Sequence, residues 1–262
     1  HDSRCHFQIG HAISNDGKNW TKDFTHNPIL IKGLPGDWDD SFVYCPIVWK
    51  ENSTWYMVYT GSGHNKEKQV GLATALHPEG PWIKNTNNPI VHVSDFGWDS
   101  HEVEGWGLLK VGQTYHLWYD TVTPPRKIGL AISTDLINWE KDKNNPIFGD
   151  GRFCVCPFKR GSYYYLIVPH YTLGTDYTEF ELYIDINPTF YPDNRKLIKI
   201  VKTCSTSGWD DHDEDCPYIL TTDIKRDTFV NNELWMYYSG ERNGVWKEGL
   251  VIEKDIDNAI KV

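Results

Sequence analysis

Two short patterns recur along this chain, and their spacing limits the possible folds more than any other feature of the sequence. Ile13-Ser14-Asn15-Asp16-Gly17-Lys18-Asn19-Trp20 returns as Ile132-Ser133-Thr134-Asp135-Leu136-Ile137-Asn138-Trp139, with a weaker copy from Ala73 to Trp82. Each copy is followed by Asn-Pro and an apolar pair: Asn27-Pro28-Ile29-Leu30, Asn88-Pro89-Ile90-Val91 and Asn145-Pro146-Ile147-Phe148. The second pattern opens with Trp-Asp at Trp38-Asp39, Trp98-Asp99 and Trp209-Asp210. Six residues after each Trp stand Tyr44, Glu104 and Asp215. Gly149-Asp150 fits the same register and puts Val155 at the marked position. Two residues further on come Pro46, Pro157 and Pro217, with Trp106 in the remaining copy.

Between these landmarks lie aromatic and β-branched runs, such as Thr54–Tyr59, Thr114–Tyr119, Ser162–Ile167 and Leu234–Tyr238. Runs of that length and composition, bounded by turn residues, predict strands. Repeats of roughly 50–60 residues with several strands each read as β-propeller blades. The sequence therefore predicts an all-β fold, a five-bladed β-propeller forming a single domain over residues 1–262. Four complete units open near Trp38, Trp98, Gly149 and Trp209. The first blade is incomplete at the N-terminus: the first 33 residues read as its outer half, and its inner strands would lie upstream of His1. In the other reading, C-terminal residues close the ring, although little chain follows Leu250-Val251-Ile252.

A formal charge of −10 without clustered Lys and Arg argues against a phosphate-backbone binder. No apolar run approaches the roughly 18 residues of a membrane span. Neither nucleic acid nor membrane is expected as a partner. His1-Asp2-Ser3-Arg4 leads into polar, patterned chain rather than a signal peptide, which leaves the compartment open. Among the six cysteines, Cys45, Cys156 and Cys216 share one register before Pro and are expected to be buried thiols. No Cys-x-x-Cys pair or zinc spacing occurs.

The innermost strand of each blade lines a propeller's channel, and strand side chains alternate between faces. If the marked position faces the channel, so do Asp40, Phe42 and Tyr44, then Ser100, Glu102 and Glu104. Asp211, Asp213 and Asp215 follow in the last unit. Like charges gathered in one funnel raise some of their pKa values, as a general acid requires. An acid and a partner carboxylate flanking a glycosidic bond are what sugar hydrolysis needs. An Asp in these segments equally caps a turn by accepting backbone amides. Glu104 stands out because its register counterparts are Tyr44 and Val155.

On these motifs the chain resembles the five-bladed propeller glycoside hydrolases, the superfamily of family 43 arabinosidases and xylosidases and family 32 and 68 fructosidases. The likeness is carried by Val70-Gly71-Leu72-Ala73 and Ile128-Gly129-Leu130-Ala131, the Ser-x-Asp turn with its Trp, and the Asn-Pro-Ile sequence after it. Tyr44-Cys45-Pro46 leading to Trp55-Tyr56-Met57 is similar to the family 43 Trp-Ala-Pro strand and its Tyr-Tyr partner. The resemblance implies a base on blade one, which would precede His1, and a tuning carboxylate on blade three, where Val103-Glu104-Gly105 matches with Glu in place of Asp. It implies an acid on blade four, where Val155 stands in Cys154-Val155-Cys156-Pro157. Glu104-Gly105 also fits the acid motif displaced by one blade.

The expected activity is hydrolysis of a glycan, with Glu104, Asp40 and Asp215 as catalytic carboxylates and a carbohydrate as partner. Tyr44, Glu102, Trp106, Asp213 and His170 are expected to bind substrate. No metal ligand is assigned and no cofactor is required, although the resemblance allows a structural Ca²⁺ in the channel. The alternative is a propeller that binds carbohydrate, or another partner, without cleaving it.

Overall fold

A computed structural model of the chain describes residues 7–64, 67–149, 151–171, 178–203, 213–219, 229, 233–242 and 245–253. These residues form strands and no helix. The chain groups into two compact units, His1–Gly105 with Asp135–Trp139, and Trp106–Thr134 with Glu140–Val262.

The first unit opens with a two-stranded ladder, β1 (Ala12–Ile13) and β2 (Thr21–Lys22). An antiparallel meander follows: β3 (Phe42–Glu51), β4 (Thr54–Ser62), β5 (Lys68–Ala75) and the short outer strand β6 (Ile83–Lys84). Two-residue turns need left-handed backbone at their first position, which Asn52 supplies between β3 and β4 with φ 56°. Val43, Met57, Tyr59, Ala73 and Trp82 pack with Ile9 and Leu30 of the N-terminal segment into one apolar cluster.

β7 (Glu104–Val111) leads into the second unit, which continues with β8 (Thr114–Thr121), β9 (Lys127–Ser133) and β10 (Glu140–Lys141). The next meander is β11 (Cys156–Arg160), β12 (Tyr163–Tyr171), β13 (Thr178–Asp185) and β14 (Lys196–Thr203). The last is β15 (Asp213–Ile219), β16 (Leu234–Arg242) and β17 (Val245–Glu253). Within this unit Leu109, Trp118, Ile128 and Phe148 pack on Leu166, Val168 and Tyr183. Phe158, Ile167, Phe180 and Leu182 pack on Ile219, Leu234 and Met236. Cys156 Sγ accepts the amide of Ile219 at 3.2 Å, consistent with a packed thiol. Among the described cysteines Cys154 and Cys156 are buried, whereas Cys45, expected to be buried, is half-buried.

The repeats have local physical causes. Asn88 Oδ1 accepts the amide of Leu72 and its Nδ2 donates to the carbonyl of Leu72 and to Tyr59 Oη. Asn145 does the same with Leu130 and Tyr119, and Asn27 with the backbone of His11. Each Asn-Pro thus ties the chain leaving a blade to that blade's third strand. Glycine on that strand sits opposite a tyrosine ring, in the pairs Tyr59–Gly71, Tyr119–Gly129 and Tyr238–Gly249. In the Ser-x-Asp turns, Asp16 and Asp135 each accept two following amides, and Trp20 and Trp139 each donate to a turn carbonyl. That motif is a staple between outer strands.

His11 matches Leu72 and Leu130, so β1 and β2 correspond to third and fourth strands. The described residues make four blade sheets of three or four strands, not five. The fifth expected unit supplies only its outer ladder, because residues 7–33 hold no inner strands.

Candidate active site

Glu104, the first residue of β7, is 3% exposed. Its Oε1 accepts the hydroxyl of Tyr44 at 2.6 Å and the ammonium of Lys68 at 2.5 Å. The same ammonium lies 3.3 Å from Oε1 of Glu102. Backbone pairing brings these groups together. Lys68 N donates to His101 O at 3.2 Å, and Val103 N donates to Lys68 O at 2.8 Å. Gly105 N donates to Thr60 Oγ1 at 3.1 Å, which ties the start of β7 to β4. Burial opposes the charge on Lys68, and the Glu104 and Glu102 carboxylates outweigh it, so its pKa lies above the ordinary lysine value.

Tyr44 is aimed by a β-bulge. The register of β3 on β4 shifts between Tyr44 and Ile47. Within that shift Cys45 adopts φ 50°, and Pro46 has no amide to give to the ladder. The same shift recurs between Asp215 and Tyr218 on β15, across Cys216-Pro217. Pro recurs two residues after the marked position because the inner strand bulges there.

Asp40 lies outside the Lys68 cluster. It is buried, with Oδ2 accepting the amide of Gly36 at 2.7 Å and Oδ1 3.4 Å from His64 Nδ1. The Gly36 amide, followed by the His64 imidazole, holds this carboxyl below its ordinary value despite burial. Asp40 therefore caps a turn and also lines a cavity of about 310 Å³ with Asp37, Trp38, His64, Glu67 and Gln69. Its neighbour Asp39 is committed to structure, accepting from Tyr59 at 3.1 Å and Lys84 at 2.6 Å.

In the second unit, Trp106 donates its indole N–H to Asp120 Oδ1 at 2.8 Å, and Asp120 Oδ2 accepts the amide of Cys154 at 2.9 Å. His170 Nδ1 lies 3.1 Å from Glu181, which also binds Arg152 and Tyr183. Asp213 and Asp215 pair with Glu241 and Ser239 through the backbone of β15, and their side chains lie outside the described residues. Asp211 and His212 lie outside them entirely. Val155 does not face a channel. It is 2% exposed in an apolar cluster, because β11 begins only at Cys156 and Cys154 turns the chain with φ 45°, which breaks the assumed alternation.

The structure thus joins Tyr44, Glu102 and Glu104 around Lys68, a residue the motif reading passed over. A signal for it existed: Lys68 and Arg126 both stand two residues before the repeated Val/Ile-Gly-Leu-Ala strand. Asp120 and Glu181 were missed as well, being buried carboxylates on second and third strands rather than on the inner one. Among the described residues no group of three or more His, Cys, Asp or Glu is arranged to hold a metal ion. No helix among them is long and apolar enough to cross a membrane.

The blade meanders define the fold, which is that of solved β-propeller glycoside hydrolases. The chain is similar to Zg3597, a family 117 glycoside hydrolase of the marine bacterium Zobellia galactanivorans. The TM-score is 0.68 at 16% identity, over 95% of this chain and 71% of that one. An endo-arabinase of Bacteroides thetaiotaomicron gives a TM-score of 0.62 at 15% identity, over 95% of this chain and 94% of that one. An exo-1,5-alpha-L-arabinanase from a bovine ruminal metagenomic library gives 0.61 at 17%, over 93% and 85%. At these identities the likeness is one of fold. No family model matches the sequence, and no curated protein sequence does.

Proposed function

We propose that this chain, acting as a single domain, is a glycoside hydrolase in which Glu104 is the central carboxylate. The observation that carries the reading is the double donation to Glu104 Oε1 by Tyr44 and Lys68 at the head of an inner strand. A carboxylate placed there, within a fold shared with glycoside hydrolases and arabinanases, suits hydrolysis of a glycosidic bond. Asp40 and Asp215 are the further carboxylates of the reading. Glu102, Trp106, Asp213 and His170 serve as substrate contacts.

The cavity beside Asp40 supports a substrate of neutral sugars. Asp37, Asp40 and Glu67 line it, with no Lys or Arg among the described lining residues, so these walls accept hydroxyl protons and disfavour uronic or sulfated sugars. The test is a panel of neutral and acidic aryl glycosides. Turnover is expected on neutral members only, and Glu104→Gln is expected to remove it even at temperatures where melting curves show the variant folded, its melting temperature being lowered because Lys68 loses its counter-charge. Full activity in that variant would overturn the assignment.

One observation favours the second reading, a carbohydrate-binding propeller without catalysis. Val155, where the resemblance places the acid, is packed in an apolar cluster. Binding on a glycan array without turnover of any bound glycan would decide for it.

A further inference from the structure

We infer that Lys68 is a positioning residue for the proposed hydrolysis, anchoring Glu104 through Oε1 so that Oε2 is the oxygen presented to the sugar. This rests on the glycosidase reading of Glu104. Both donors, the Tyr44 hydroxyl at 2.6 Å and the Lys68 ammonium at 2.5 Å, land on Oε1. Among the described residues Oε2 receives no donor. A carboxylate held at one oxygen by two donors cannot swing between rotamers, which keeps its other oxygen aimed in one direction.

The repeat separates this arrangement from ordinary blade packing. Arg126 holds the position of Lys68 in the next copy, and there the cation stacks over Phe153, 4.2 Å from the ring centroid. By register Phe153 is the counterpart of Glu102. A basic residue at the head of the third strand therefore packs on the following segment in both copies, but among the described residues only Lys68 of the two meets carboxylates. The backbone bonds of Lys68 to His101 and Val103 do not involve its side chain, so a substitution leaves that framework in place.

The experiment compares the full chain with Lys68→Met, which keeps the apolar stem, and with Lys68→Arg. Each is assayed on whichever 4-nitrophenyl glycosides the wild type cleaves, with melting curves run in parallel. The expected result for Lys68→Met is a fall in kcat of about 10- to 100-fold with KM within about 3-fold, as for loss of orientation rather than of binding. Lys68→Arg is expected to recover a substantial part of kcat, since its guanidinium can still donate to Oε1. A Lys68→Met variant that keeps kcat within about twofold of wild type would overturn the inference alone. So would a loss of kcat that merely tracks the fraction of folded protein, with no recovery in Lys68→Arg. If the wild type cleaves no glycoside on the panel, the glycosidase reading fails first and the inference falls with it.

Discussion

Arg152 and Glu181 are joined by two parallel hydrogen bonds, Nε to Oε2 at 2.7 Å and Nη2 to Oε1 at 3.0 Å. Tyr183 donates to Oε2 at 2.9 Å and His170 Nδ1 lies 3.1 Å from Oε1, so four contacts converge on one buried carboxylate. Burial raises the Glu181 pKa, and hydrogen bonding and charge from Arg152 more than reverse this, leaving it below the ordinary 4.5. A depressed carboxylate contributes stability that is fully present above its unfolded value and lost as pH falls through its folded value. Glu181→Gln should cost about 1–3 kcal/mol at pH 7, because it leaves the half-buried Arg152 without its counter-charge. The gap between variant and wild type should begin to narrow below about pH 4.5, where the carboxyl of the unfolded chain takes up its proton, and shrink further as pH falls through the lower folded value. Guanidinium unfolding at pH 7, 5 and 3.5 measures it, and a gap independent of pH would refute the account.

The asparagine of each Asn-Pro repeat replaces a backbone partner. Asn145 satisfies both the N–H and C=O of Leu130, a residue 0% exposed, and also donates to Tyr119. Asn145→Ala should therefore cost about 2–4 kcal/mol, from buried polar groups left unpaired. At about 2–4 °C per kcal/mol for a chain of this size, the melting temperature should drop by roughly 5–15 °C. Asn88→Ala should behave alike, since it makes the equivalent bonds to Leu72 and Tyr59. Calorimetry on both variants tests the equivalence, which unequal losses beyond about 1 kcal/mol would contradict.

Gly71 is required by its neighbours rather than by its backbone angles. A Cβ there would sit 2.6 Å from Tyr59 Cζ and 2.8 Å from Trp38 Cζ2. Tyr59 is fully buried and bonded to Asp39 and Asn88, so the ring cannot retreat. Gly71→Ala should destabilise by about 1–3 kcal/mol through overpacking. Pairing it with Tyr59→Phe should not relieve the loss, because the clashing ring atom remains. Recovery of stability in the double variant would show that the hydroxyl network, not the ring, sets the restraint.

How much of this could be read beforehand varies with how local the cause is. The strands, the Ser-x-Asp staples and the outer half-blade were legible, because turn residues and aromatic runs act over a few positions. Glu104 was legible through register, standing where Tyr44 and Val155 stand. Lys68 was not, since its partners lie 34 and 36 residues away in sequence and only blade-to-blade pairing joins them. Val155 misled the parity argument because alternation holds only inside a strand, and β11 starts one residue later. Glu181 sits in the unit with the weakest repeat, where no second copy marks its position.

Tyr44 offers a further test of the site. It is half-buried at the bulge of β3, its ring lies 5.4 Å from that of Phe42, and its hydroxyl reaches Glu104. Tyr44→Phe keeps the ring packing and deletes one donor to a carboxylate, a bond worth about 1.5–3 kcal/mol. If that donor fixes Glu104 while the sugar reacts, kcat should fall by about 10- to 100-fold, each factor of ten being 1.4 kcal/mol. KM should change little, since the hydroxyl is engaged by Glu104 and not by the sugar. The melting temperature should fall by about 3–12 °C at about 2–4 °C per kcal/mol, with Lys68 still donating to Oε1 in the folded chain. A rise in KM with kcat preserved would instead make Tyr44 a direct sugar contact.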